Sequence, residues 1–256
     1  MGWLVKIFLK NFPREILISL SLFFLPLLDL IFRGSKFHDP INNKSYRMFL
    51  PYGYNKIRKN ALSPGTLSLE RHRLLWLYLK NETKFLNKEI EMLHIAPEQS
   101  FYKIFKKSKK IKYTTFDLDS PIADIKGDIC KMPFKNNFFD LILCNHVLEH
   151  IVEDKLAMME IYRVLKLNGT AVLQVPIETS NSKTLEETMI TSQKERNEKF
   201  GQYDHVRLYG NDYFKRLESI GFKVEKNFYA KKFSKEEIKK YGLNENEIIP
   251  ICKKLI

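Results

Sequence analysis

The sequence predicts an α/β fold with one mostly parallel sheet and helices on both faces. Three observations carry the prediction. From residue 91 onward, short apolar runs alternate with segments of helical period. One run, Phe139–Cys144, is apolar at nearly every position, as a parallel strand covered on both faces requires, and it stops at Asn145-His146. Turn-forming residues at Asn136-Asn137, Asn168-Gly169, Gly221 and Gly242 close the runs. In open α/β sheets ligands bind at the carboxyl ends of the strands, so Asp128, Asn145 and His146 are predicted to line a pocket.

Taken in order, residues 1–12 place Lys6 and Lys10 one helical turn apart, with Trp3, Leu4, Ile7, Phe8 and Phe12 around the remainder. That is the pattern of a basic interfacial helix, ended by Pro13. Residues 16–32 are apolar except for two serines, Pro26 and Asp29. Their uncharged part, 16–28, is shorter than the roughly 20 residues that span a bilayer core. A core helix, a spanning anchor and a shallow monotopic anchor all fit, and basic flanks on both sides leave topology open. The reading adopted is a membrane-associating segment, residues 1–33, that holds the globular part at the cytoplasmic face of an anionic membrane.

Residues 34–66 are polar, basic and turn-rich, a linker or degenerate ribbon-like subdomain, and 67–256 form the main domain. Residues 67–79, LSLERHRLLWLYL, predict a mostly buried helix in which His72 is structural. The alternation then runs strand 92–96, helix Gln99–Lys107, strand Ile111–Asp117, short strand 122–125, strand Phe139–Cys144, helix 154–165 and strand 170–175. Residues 178–199 show no strand pattern and are predicted to form a lid after a strand end. A helix over 211–220 closed by Gly221, a strand over 222–229 and a short helix with a Ser234/Glu237 capping box follow. Residues 248–253 close as an edge strand, where Pro250 is best tolerated.

The formal charge is +13 over 256 residues, and it is not evenly spread. Residues 1–112 hold 21 Lys and Arg against 8 Asp and Glu, and the remainder holds 22 of each. A basic arm on a neutral domain points to an anionic surface. Three cysteines, Cys130, Cys144 and Cys252, show no metal spacing and fit a reduced compartment.

The order of apolar strand, Asp117 at the second strand's end, Asp128 before Met132-Pro133-Phe134, FDLILCNHVLEHI and YRVLKLNGTAVLQV resembles a class I S-adenosylmethionine-dependent methyltransferase of the type 11 group. LSLERHRLLWLYL, LHIAPE and FGQYDHVRLYG resemble a bacterial subgroup of these enzymes. The resemblance implies a Rossmann-like seven-stranded sheet with S-adenosylmethionine as cofactor. Asp117 would accept from the ribose hydroxyls, with Asp119 as a nearby alternative. Asp128 would accept from the adenine amino group, with the backbone of Ile129 at the ring edge. Asn145 and His146 would lie where methionine moiety and acceptor meet.

The loop after the first strand departs from this pattern. Aligning strands puts His94 at the family's acidic position and Ala96, Glu98 and Ser100 at its glycines, which normally let the backbone approach the cofactor. Ala96 and Ser100 are small, and Glu98 would supply the missing carboxylate to the cofactor's ammonium. Methyl transfer needs positioning and, for some acceptors, a base. His205, His146 and His150 are the candidates, with Asp204 orienting His205 and Arg207 holding an anionic substrate group. Relatives carry a zinc ribbon with two Cys-x-x-Cys pairs, where this chain has His38-Asp39-Pro40-Ile41-Asn42 and Ser63-Pro64-Gly65-Thr66, so no metal is expected. The leading expectation is a membrane-associated methyltransferase acting on a small, lipid-linked or glycan-related acceptor. The alternatives are an RNA methyltransferase and a catalytically inactive interaction protein.

Overall fold

A computed structural model describes residues 14–53, 57–187 and 189–255; the basic segment expected over residues 1–12 lies outside them. In chain order, helix α1 (Arg14–Ile31) is followed by two hairpins, β1 (Arg33–Asp39) with β2 (Lys44–Tyr46) and β3 (Leu50–Tyr52) with β4 (Arg58–Leu62), and by α2 (Glu70–Asn81). Then come β5 (Ile90–Ile95), α3 (Gln99–Lys107), β6 (Ile111–Asp117), β7 (Ile125–Lys126), β8 (Phe139–Cys144), α4 (Asp154–Val164) and β9 (Leu165–Val172). The chain continues through β10 (Leu185–Glu186), α5 (Gln193–Phe200), β11 (Arg207–Leu208), α6 (Tyr213–Glu218), β12 (Lys223–Asn227), α7 (Lys235–Tyr241) and β13 (Ile249–Lys253). These residues divide into two compact units. One holds the described residues up to Thr83 with Gln99–Lys103 and Phe228–Glu247; the other holds Lys84–Glu98, Ile104–Asn227 and the described residues from Ile248.

The second unit is built on a seven-stranded sheet in the order β12-β13-β9-β8-β5-β6-β7. The strands from β9 to β7 run parallel, and β13 is antiparallel to both β9 and β12. The continuous apolar run of β8 is fully buried beside β5 and β9, and Ala157, Met158, Ile161 and Val164 of α4 and Leu217 of α6 join its core. Three elements differ from the sequence reading. The third strand shrinks to β7 because Asp124 exchanges side-chain and backbone hydrogen bonds with Thr115 instead of extending the ladder. The fifth strand begins at Leu165, paired with Phe139, rather than at residue 170. The last strand is interior, and β12 forms the edge. Pro250 survives there because Leu173 N donates to its carbonyl, while the Leu173 carbonyl that a residue-250 N–H would have served accepts from the buried Tyr213 hydroxyl at 2.8 Å.

The first unit is organised by Arg73 on α2, which is 0% exposed. Its guanidinium donates to the carbonyls of Tyr241, Gly242, Ala61 and Ser68, joining α2, β4 and the end of α7. Ser68 Oγ relays to Asp39, whose carboxylate also accepts from Thr66 Oγ1 at 2.5 Å and Ile41 N at 2.9 Å. Asp39 therefore ties together the turns at residues 38–42 and 63–68. Burial pushes the Arg73 pKa down to about 10, against the charges of Asp39 and Glu70, so it stays cationic at neutral pH. Gly242 ends α7 at φ 56, where a side chain would press on Phe49 and on Arg73 Nη2.

Helix α1 exposes Phe23, Phe24, Leu27, Leu30 and Ile31. Its Asp29 is turned inward, accepting from Tyr46 Oη and Lys44 Nζ at 2.6 Å each. No helix of the described residues is long and apolar enough to cross a membrane.

Arg73→Met leaves four carbonyls and the Asp39 carboxylate without their cation, and urea unfolding followed by Trp76 fluorescence should show a loss of about 3–5 kcal/mol. Arg73→Lys should recover little of it, since one ammonium cannot reach acceptors on three segments.

Candidate active site

The site is built on the carboxyl ends of β5, β6 and β8. His94 is fully buried in β5, and its two ring nitrogens are both engaged, Nδ1 with Tyr113 Oη at 2.7 Å and Nε2 with Glu98 Oε2 at 2.5 Å. A carboxylate only accepts, so Nε2 carries the proton that bonds Glu98. Glu98 stands at the N-cap of α3 but its side chain makes no capping bond there. It turns back over β5, where Asn145 Nδ2 also donates to it, at 3.1 Å. Asn145 is 4% exposed and its Oδ1 is buried with no hydrogen-bond partner.

Between His94 and Glu98 the chain turns through Ala96, whose φ is 51°, in the left-handed region that glycine favours. Ala96 N donates to Phe116 O at 2.9 Å, which pins the turn to β6. The backbone path that glycines normally provide is therefore taken here by a small L-residue held in place.

At the end of β6, Asp117 is half-buried and its Oδ1 accepts from the backbone of Asp119 and Ser120 at 2.9 and 2.6 Å, which fixes the carboxylate. The Asp119 side chain is 93% exposed, with its Oδ1 3.5 Å from Lys126 Nζ, so Asp117 is the better placed of the two. Asp128 is exposed in the turn after β7; its Oδ1 accepts from Cys130 N, and the following Ile129 is anchored in the core. Sequence reasoning missed what holds this turn. Arg163 on α4 donates to the carbonyls of Met132 and Phe134, and its partner Glu160 accepts from Met132 N. It also missed Tyr113. That contact depends on the β5–β6 register, which pairs Tyr113 with Met92 and sets it diagonally from His94, and a single strand carries no sign of it.

These residues fit S-adenosylmethionine. A fixed carboxylate and an orphaned amide oxygen, Glu98 and Asn145 Oδ1, suit an ammonium. Asp117 suits vicinal hydroxyls and Asp128 an amino group.

The acceptor-side residues group differently from expectation. His146, at φ 54°, follows Asn145, with its Nδ1 3.2 Å from Glu149 Oε1 and its Nε2 buried without a partner. His205 is 7% exposed; its Nδ1 donates to Phe200 O, and burial pushes its pKa down. Asp204 accepts from His150 Nδ1 through its carbonyl, at 3.2 Å, and from Gln202 Nε2 through its carboxylate, at 2.8 Å, so the ring it holds is that of His150. Arg207 is buried, with its guanidinium committed to the carbonyls of Leu148, Ile151 and Val152 and to Glu186. The lid contains a two-residue strand, β10, paired with β11, and a helix, α5, capped by Ser192. So short a strand leaves no period to read.

A family model described as a methyltransferase domain matches residues 81–173. An uncharacterised protein of Methanocaldococcus jannaschii is 47% identical over 51 residues, 20% of this chain. That match spans 22% of the length of the archaeal protein. Among solved structures, a SAM dependent methyltransferase from Archaeoglobus fulgidus is 15% identical, with a TM-score of 0.46 over 64% of this chain and 74% of that one. Phosphoethanolamine N-methyltransferase 2 of Haemonchus contortus, in complex with S-adenosyl-L-methionine, is 14% identical, with a TM-score of 0.45 over 72% and 53% of the two chains.

Ala96→Gly should raise unfolding stability by about 1 kcal/mol, and Ala96→Val should lower it, because a β-branched residue tolerates a positive φ poorly. Arg163 holds the Glu160 carboxyl below its ordinary range, against burial. A lowered folded pKa gives stability that is complete above the ordinary glutamate value of 4.5 and is lost as pH falls through the folded value. Glu160→Gln should remove that part of the acid slope in a pH series of urea melts.

Proposed function

We propose that the chain, whose residues 81–173 match a methyltransferase-domain family model, transfers a methyl group from S-adenosylmethionine to a small, lipid-linked or glycan-related acceptor at the cytoplasmic face of a membrane. The observation that carries the catalytic part is Glu98 fixed between His94 and Asn145, beside the unpartnered Asn145 Oδ1. The bound cofactor supplies an electrophilic methyl group on a sulfonium. Glu98 and Asn145 hold its ammonium, Asp117 its ribose and Asp128 with the Ile129 backbone its adenine. This fixes the line of attack, and positioning is most of what an in-line displacement asks of a protein. Where the acceptor must lose a proton, His146 takes it, since its Nε2 has no other partner.

The membrane part rests on α1 and on charge. Five large apolar side chains of α1 are exposed, and the excess of Lys and Arg lies within residues 1–112. An apolar face with basic neighbours suits a shallow interfacial anchor on anionic lipid. Asp29 is spent on the β1–β2 hairpin and so does not oppose this contact.

Calorimetry on the full chain should show S-adenosylmethionine binding, and Glu98→Gln and Asp117→Asn should each weaken it about tenfold or more, about 1.4 kcal/mol. A folded protein without binding contradicts the proposal. In flotation with anionic vesicles the wild type should rise with the lipid, and a Phe23→Asp/Leu27→Asp/Leu30→Asp variant should not. Methyl label appearing in RNA alone, with salt-sensitive RNA binding, would replace the acceptor class.

A further inference from the structure

The turn after β8 carries a second cluster that cofactor binding does not use. Glu149 and His150 are adjacent in the single 3-10 turn Leu148–His150, and His205 reaches them from the loop after α5. One ligand atom from each of these three residues lies within 4.8 Å of the other two. The rings of His150 and His205 meet edge to face at 4.7 Å.

Glu149 is 1% exposed, and neither of its carboxylate oxygens receives a well-formed hydrogen bond, although His146 Nδ1 stands 3.2 Å from Oε1. His146 is an ion-pair partner for Oε1 of this buried carboxylate, and Oε2 is open to a further cation. Both imidazoles are arranged to serve one. His205 Nδ1 donates to the Phe200 carbonyl and His150 Nδ1 to the Asp204 carbonyl, which leaves the lone pair of each neutral ring on Nε2. A backbone carbonyl fixing the far nitrogen in this way is the usual support of a metal-binding histidine.

The scaffold around the cluster is rigid. Val206 N donates to Glu149 O at 2.9 Å, strapping the His205 segment to the turn. Arg207 closes the same strap through the carbonyls of Leu148, Ile151 and Val152, which gives its buried guanidinium a positioning role.

We propose that Glu149, His150 and His205 form a binding site for a divalent first-row transition ion. Two imidazoles and one carboxylate are a donor set for such ions rather than for calcium or magnesium. Bonds of about 2.1 Å require the three ligand atoms to close in by roughly an ångström on binding. His150 is half-buried, the most accessible of the three, so the open coordination positions lie on its side and take water or an acceptor oxygen. The expectation of no metal rested on missing cysteine pairs in residues 34–66, and it did not consider nitrogen and oxygen donors brought together by the fold.

The site is tested on the full chain, stripped with chelator and titrated with Zn²⁺ and Co²⁺, while S-adenosylmethionine binding is measured on the same sample. The expected result is one equivalent bound at micromolar or tighter affinity, with visible Co²⁺ absorption. His205→Ala and the near-isosteric Glu149→Gln should each lose at least a hundredfold in metal affinity and keep the far-ultraviolet spectrum of the wild type. The Co²⁺ spectrum of the wild type keeps the test independent of how the variants fold. A folded wild type that binds neither ion, or binds one as tightly without His205 and Glu149, overturns the site. Cofactor binding that persists in that case leaves the methyl-transfer reading standing, and its loss with metal binding intact does the reverse.

Discussion

The carboxylate of Glu98, fixed between His94 Nε2 and Asn145 Nδ2, is the interaction on which the candidate site depends. It couples the carboxyl ends of β5 and β8. The same bond fixes the path of the loop after β5, which has no glycine. Once Ala96 accepts a left-handed φ and bonds to Phe116, the next turn delivers Glu98 back over the strand. His94 then serves as the support of the carboxylate rather than as its replacement.

The other unit solves a related problem by similar means. Two turns of this unit are joined by a buried aspartate, Asp39, two hydroxyls and a backbone N–H, with Arg73 gathering carbonyls from three separated segments. Such networks are stable only when every member is satisfied, which makes them sensitive to single changes. Both units therefore rely on carboxylates fixed by hydrogen bonds.

Much of the sheet was legible because local pattern and tertiary fold agree. Gln99–Lys107, Ile111–Asp117 and Phe139–Cys144 have the bounds that their periodicity gives, and the Ser234/Glu237 capping box forms as its spacing requires. Pro250 misled because its missing N–H is offset by Tyr213, a partner distant in sequence. The same holds within the site. Asp117, Asp128 and Asn145 could be placed from strand ends alone. Tyr113 against His94, Arg163 behind the Asp128 turn, Asp204 against His150 and the burial of Arg207 all depend on pairings between distant segments. No window of sequence contains those pairings.

The central claim is that Glu98 and Asn145 act together on the cofactor. A double-mutant cycle of Glu98→Gln and Asn145→Ala, read as S-adenosylmethionine affinity by calorimetry, tests it most directly. Strongly non-additive losses are expected, because either change alone loosens the other side chain. Additive losses, or affinity unchanged by either substitution, would contradict it.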